Sequence, residues 1–205
     1  MDKEGKITKN NEAIIKDVPK EYTDNFRDPK VFKDNNKYYC LIGAERKENL
    51  GTIVYYESDN LKDWTFKGEI KTSFFGNGFM WECPDYLKFD DKGVLIFSTP
   101  GLKADGDKYK NIFQSGYLIG ENIDFSNGEF KHGEFTELDR GFDFYAPQTM
   151  TDDKNRRILI GWMGLPEIDY PSDKNKWAHC LTLPRELQLV NGRLIQKPVK
   201  ELIFH

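Results

Sequence analysis

Three stretches of this sequence align on a proline, and that internal repeat constrains the fold more than any other feature. Self-similarity at a long, roughly fixed spacing marks an architecture of stacked units. The first stretch runs Arg27-Asp28-Pro29-Lys30-Val31-Phe32, through Asp34-Asn35-Asn36-Lys37, to Tyr38-Tyr39-Cys40-Leu41-Ile42-Gly43. The second runs Glu82-Cys83-Pro84-Asp85-Tyr86-Leu87, through Asp90-Asp91-Lys92-Gly93, to Val94-Leu95-Ile96-Phe97. The third runs Tyr145-Ala146-Pro147-Gln148-Thr149-Met150, through Asp152-Asp153-Lys154-Asn155, to Ile158-Leu159-Ile160-Gly161-Trp162. The prolines lie 55 and 63 residues apart.

Each copy predicts the same unit. A strand opens at the proline, where a missing N–H is tolerated, and a turn of Asp, Asn, Lys and Gly leads into a strongly apolar second strand. Third strands are expected at 51–56, 115–119 and 180–187, and more polar fourth strands at 64–68, 130–134 and 194–197. No segment sustains a 3.6-residue apolar period, and Gly and Pro interrupt every long stretch. The fold class is therefore all-β, with three four-stranded blades of a propeller at about 21–75, 76–137 and 138–205. Residues 1–20, with Ile7 and Ile14-Ile15, are expected to form the last strand of a preceding blade. Three blades do not close a ring, so open edges and self-association through them are expected.

Composition narrows the function classes. The net charge of −4 is spread over interspersed Lys and Glu with no basic stripe, which argues against a nucleic-acid partner. Apolar runs such as Val94–Phe97 are too short to cross a bilayer, so no membrane partner is expected. Cys40, Cys83 and Cys180 are widely spaced and form no CxxC, and His132, His179 and His205 are scattered. No metal site, no cofactor and no disulfide framework are predicted. The polar start Met1-Asp2-Lys3-Glu4-Gly5 does not read as a signal peptide, so a reducing cytoplasm is the expected location.

The chemistry is sought where the blades converge. Residues just before the aligned prolines sit at one mouth of a propeller's channel, which brings Asp28 and Glu82 together. Two carboxylates facing one funnel is the arrangement that glycoside hydrolysis uses. Asp before Pro is also a common turn starter, so Asp28 alone is ambiguous. Glu82, between Trp81 and Cys83, is harder to read as surface, because a carboxylate in an apolar run is rarely buried without purpose. Asp143, between Phe142 and Phe144, has the same look.

Several ordered motifs resemble glycoside hydrolase family 32. Phe26-Arg27-Asp28-Pro29 is similar to the family's RDP motif, and Trp81-Glu82-Cys83-Pro84-Asp85 to its EC motif. Asp143–Thr149 with Gly161-Trp162-Met163-Gly164 resembles its last blade. Ile168-Asp169-Tyr170-Pro171 and His179–Leu187 most resemble the bacterial branch acting on sucrose 6-phosphate. The resemblance implies a five-bladed propeller followed by a β-sandwich, and retaining cleavage of a fructofuranoside bond in a small sugar, sucrose 6-phosphate or sucrose. It implies Glu82 as general acid/base and Asp28 as the carboxylate that binds fructose hydroxyls and stabilises the transition state. Arg27 and Cys83 would support the sugar site, and Tyr145 and Trp162 would line it. Arg46, Lys47 and Arg140 are candidates for a substrate phosphate, or solvated surface charge.

The family's nucleophile motif, Asn-Asp-Pro-Asn-Gly, and its Phe-Ser-Gly-Ser segment do not occur in this sequence. A retaining mechanism without a nucleophile forms no covalent intermediate, so the 205-residue chain alone is expected to be inactive. Two other readings stay open: a non-catalytic carbohydrate-binding propeller and an arabinanase-like glycosidase.

Overall fold

The computed structural model of the protein describes residues 4–111 and 113–202. Its regular secondary structure is almost wholly antiparallel strand, in three sheets. The first holds β1 (Tyr22–Asp34), β2 (Lys37–Arg46), β3 (Leu50–Ser58) and β4 (Thr65–Glu69) in sequence order. The second holds β5 (Glu82–Phe89), β6 (Lys92–Pro100), β7 (Phe113–Glu121) and β8 (Thr136–Glu137), again in order. In the third, β9 (Tyr145–Thr151) pairs with β10 (Arg157–Met163), whose other edge is shared by β11 (Cys180–Leu181) and β12 (Arg185–Val190). β13 (Arg193–Pro198) closes that sheet on β12.

The five strands of the third sheet occupy four lanes. β11 and β12 are one lane interrupted at Thr182–Pro184, because Pro184 has no N–H to give to the ladder. Thr182 bridges the gap: its N–H donates to the Gly161 carbonyl at 2.8 Å, and its Oγ1 accepts the Gly161 N–H at 3.0 Å. The fourth lane of the second sheet is fragmented in the same way. Phe130–Glu134, expected as a strand, contributes an isolated bridge of His132 to Gly120 and a Phe130 N–H bond to the Lys71 carbonyl, and regular pairing waits until Thr136.

Alternation of side chains explains the packing. Along β6, Leu95 and Phe97 join Leu41, Ile53 and Tyr55 of the first sheet, whereas Val94 and Ile96 join Leu159 and Leu187 of the third and Phe144 just before it. The middle sheet is thus buried on both faces, which is why its second strand is apolar without alternation. Sheets stacked face to face with β1, β5 and β9 side by side are three blades of a β-propeller.

Two expectations fail. Residues 4–21 form no strand, while 1–3 lie outside the described residues. A strand needs a paired neighbour, and Ile15 instead packs with Phe26 and Trp64 against the outer face of the first sheet. Nor does any inner strand open at its proline: β1 begins at Tyr22, β5 at Glu82 and β9 at Tyr145, and Pro29, Pro84 and Pro147 lie within them.

Candidate active site

The prolines do something other than start strands. Between Arg27 and Lys30, β1 advances three residues while β2 advances two, from Gly43 to Leu41. The same extra residue appears between Glu82 and Asp85 against Ser98 and Ile96, and between Tyr145 and Gln148 against Trp162 and Ile160. Each inner strand therefore carries a one-residue β-bulge at its proline, which cannot donate to the ladder. The residue before each proline takes the left-handed conformation: Asp28 at φ 62°, Cys83 at φ 50° and Ala146 at φ 48°. For residues with a Cβ this is strained backbone, of the kind that clusters at functional sites.

The bulge changes which side chains share a face. Residues three apart normally point to opposite sides of a strand, but here their ladder partners are two apart, so they point the same way. Arg27 and Lys30 both face the second sheet, and Glu82 and Asp85 both face the third.

Glu82 is the centre of the upper group. Its Oε1 accepts from Arg27 Nε at 3.0 Å and Nη2 at 2.6 Å, and its Oε2 accepts from the Tyr145 hydroxyl. Arg27 is steadied by its Nη1 bond to Asn25 Oδ1 at 2.6 Å. The Arg27 and Glu82 side chains are 42% and 17% exposed, so the pair stands at an open mouth. The apolar setting suggested by the neighbours of Glu82 in sequence is replaced by a guanidinium and a phenol from the two flanking blades.

Asp28 lies beside this group. Its Oδ2 accepts the Cys83 N–H at 3.0 Å and the Cys83 thiol at 3.5 Å. Burial, and then the Asp28 carboxylate, push the Cys83 thiol well above its ordinary range, so it stays a protonated donor rather than a nucleophile. Burial, followed by the Glu82 carboxylate, raises the Tyr145 phenol in the same direction. Asp28 and Glu82 are offset by one position: Arg27 is the counterpart of Glu82, and Asp28 that of Cys83.

Gly43 and Trp81 are two positioning residues that sequence reasoning passes over. A Cβ at Gly43 would collide with the Trp81 carbonyl oxygen, so only glycine lets the Trp81–Glu82 backbone lie against β2. Trp81 is itself fully buried, stacked on Phe97 at 4.5 Å, with its indole N–H on the Asn77 carbonyl at 2.7 Å.

Other predicted residues fall elsewhere. Trp162 is the ladder partner of Tyr145, and its ring packs on His179 at 4.9 Å. Asp143 faces the Tyr170 hydroxyl rather than Glu82. Arg46 is held by Glu69 at 2.8 Å and lies over the Phe75 ring, while Lys47 and Arg140 are exposed. A hollow of about 870 Å³ between the first two sheets is lined by Arg46, Lys71, Phe75 and His132. It includes neither Asp28 nor Glu82.

Both oxygens of Glu82 are thus engaged, Oε1 by Arg27 and Oε2 by the Tyr145 hydroxyl. Two carboxylates side by side at an open mouth, Glu82 and Asp28, are the kind of pair that acid/base work on a glycosidic bond uses.

Residues 1–198 match the family model for the glycosyl hydrolases family 32 N-terminal domain. The chain belongs to glycoside hydrolase family 32. Among family 32 relatives, sucrose-6-phosphate hydrolase of Staphylococcus xylosus is 48% identical over 98% of the chain and 41% of its own length. The Bacillus subtilis protein of that name is 47% identical over 93% of the chain, again 41% of its length. The solved sucrose-6-phosphate hydrolase of Lactobacillus gasseri superposes with a TM-score of 0.91 at 37% identity, covering 98% of this chain and 42% of that one. A Bombyx mori β-fructofuranosidase mutant in complex with sucrose superposes at 0.85, also at 37% identity, covering 94% of this chain and 41% of that one. The chain thus spans about two-fifths of the length of these relatives.

Proposed function

We propose that this chain supplies the acid/base half of a retaining fructofuranosidase site that cleaves sucrose 6-phosphate or sucrose. One observation carries the reading: Arg27, Glu82 and Tyr145, from three successive inner strands, meet on a single carboxylate with Asp28 alongside. In this reading Glu82 donates a proton to the leaving oxygen and later withdraws one from water. Asp28, held by the Cys83 N–H, binds the fructosyl hydroxyls and strengthens its hold as positive charge develops on the ring. In this reading the nucleophile comes from outside these 205 residues, since Cys83 is held as a thiol and, among the described residues, no carboxylate besides Asp28 stands by Glu82. The names of the relatives support a sucrose-type substrate, and three free thiols support a reducing cytoplasm.

The test is a graft. Residues 1–202 of this chain replace the matched segment of the Staphylococcus xylosus relative, and release of fructose from sucrose 6-phosphate is measured. The graft should turn over, and Glu82→Gln in it should lower kcat by about 10²–10⁴, the usual worth of a general acid/base. A folded graft in which Glu82→Gln retains near-normal kcat would overturn the assignment. Turnover by the 205-residue chain alone would overturn the claim that its nucleophile lies elsewhere.

A further inference from the structure

Each member of the Arg27–Glu82–Tyr145 group is followed, three residues on and past its bulge, by a member of a second group: Lys30, Asp85 and Gln148. These also converge. Lys30 Nζ donates to Asp85 Oδ2 at 3.0 Å, to the Thr149 carbonyl at 2.6 Å and to Gln148 Oε1 at 3.4 Å. Asp85 Oδ2 further accepts the Thr149 N–H at 2.7 Å and the Thr149 hydroxyl at 2.8 Å. Gln148 Nε2 donates to the Cys83 carbonyl at 3.3 Å.

Stability does not account for Asp85. Its side chain is 1% exposed, and its Oδ1 is buried without a hydrogen-bond partner. A buried ion pair is often no more stabilising than the apolar side chains that could replace it, and an unpaired buried oxygen adds to the cost. Leu87, two residues on, shows the apolar solution on the same strand face. What Asp85 does hold is backbone. Asp28 accepts the N–H of Cys83, Gln148 donates to its carbonyl, and Asp85 fixes Thr149, the neighbour of Gln148, through its N–H and hydroxyl. A strained left-handed residue persists only where its surroundings over-determine it, and Cys83 is such a residue.

We infer that Asp85 is a positioning residue: clamped by Lys30 and Thr149, it locks the bulge that aims Glu82 and presses Cys83 against Asp28. The inference rests on the reading of Glu82 as acid/base, but its test needs no turnover. The three cysteines report on it, because Cys83 lies in the bulge, Cys40 is buried in the first sheet and Cys180 is exposed. Each is followed by mass spectrometry during alkylation of the purified 205-residue chain with iodoacetamide.

In Asp85→Ala the bulge should relax, Cys83 should leave its carboxylate neighbour, and its labelling should quicken. The expected gain is about tenfold, the thiolate gained per unit fall in a thiol's pKa. Cys40 should stay protected and Cys180 should not change. Gln148→Ala, which keeps the ion pair, should give a smaller rise of about threefold on the same scale. An unchanged Cys83 rate with Cys40 still protected overturns the proposal. So does a rise of Cys40 in step with Cys83, which would mean general loosening. Should Asp85→Ala fail to fold, Gln148→Ala and Thr149→Val carry the test, and no rise in either overturns it. Loss of fructose release in Glu82→Gln bears on the acid/base role alone, and thiol labelling on the clamp alone.

Discussion

Arg27, Glu82 and Tyr145 make one rung across the three inner strands, and Lys30, Asp85 and Gln148, with Thr149 beside it, make another below it. Both rungs join a cation to a carboxylate, in the same blade order. They differ in access to water. The Arg27 and Glu82 side chains are partly open, whereas Asp85 is sealed. A carboxylate that must exchange protons with a substrate needs the first setting. A carboxylate that must never let go needs the second. The repeat supplies two places on each strand, and on the proposed reading the open one serves chemistry while the sealed one holds it steady.

The comparison can be broken from either side. The largest effect expected is on rate: Glu82→Gln in the graft should raise the barrier by roughly 3–5 kcal/mol, at about 1.4 kcal/mol per tenfold, while the urea midpoint stays put. Lys30→Met should do the reverse below it. By stranding a buried carboxylate it should cost about 3–5 kcal/mol of stability, against less than about 1 kcal/mol for the exposed Arg27→Met. Equal losses in urea denaturation would erase the distinction between the rungs. Asp85→Asn in the graft should fall between, lowering kcat about tenfold, or about 1.4 kcal/mol, with KM changed less than about twofold. A rise in KM alone would place Asp85 in binding rather than aiming.

The smallest effect is on pH. The Cys83 thiol and the Tyr145 phenol are both raised in the folded state, chiefly by burial. Their contribution is intact below the unfolded values, about 8.5 for Cys and about 10 for Tyr. Above these, the unfolded chain releases protons that the folded chain keeps, so stability falls with rising pH. The urea midpoint should decline from about pH 8.5 upward, less steeply in Cys83→Ser. A midpoint that rises between pH 8 and 10 would contradict the burial of both groups.

The blades were legible because proline, turn and apolar run recur in fixed order; the apolar neighbours that singled out Glu82 gave no sign of the guanidinium and phenol that surround it. The bulges were not legible. Asp28, Cys83 and Ala146 adopt φ values usually signalled by glycine, and none of them is glycine. Without the bulge, Lys30 and Asp85 read as residues on the wrong side of their strands, and their pairing across 55 positions leaves no local trace. Polar strands were the least visible elements. Phe130–Glu134 alternates as a strand would, yet continuous pairing starts at Thr136, since ladder geometry and not pattern sets where pairing resumes.

The proline bulges have a further consequence for solubility. β1, β5 and β9 are the edge strands of their sheets, and a bare edge is a template for an intruding strand from another molecule. At Pro29, Pro84 and Pro147 that edge lacks a donor and is kinked by a left-handed neighbour, so a foreign strand finds no continuous ladder to join. Aggregation of this chain should therefore begin not along its inner strands but on the outer face of the first sheet, where Ile14, Val31 and Leu61 are exposed.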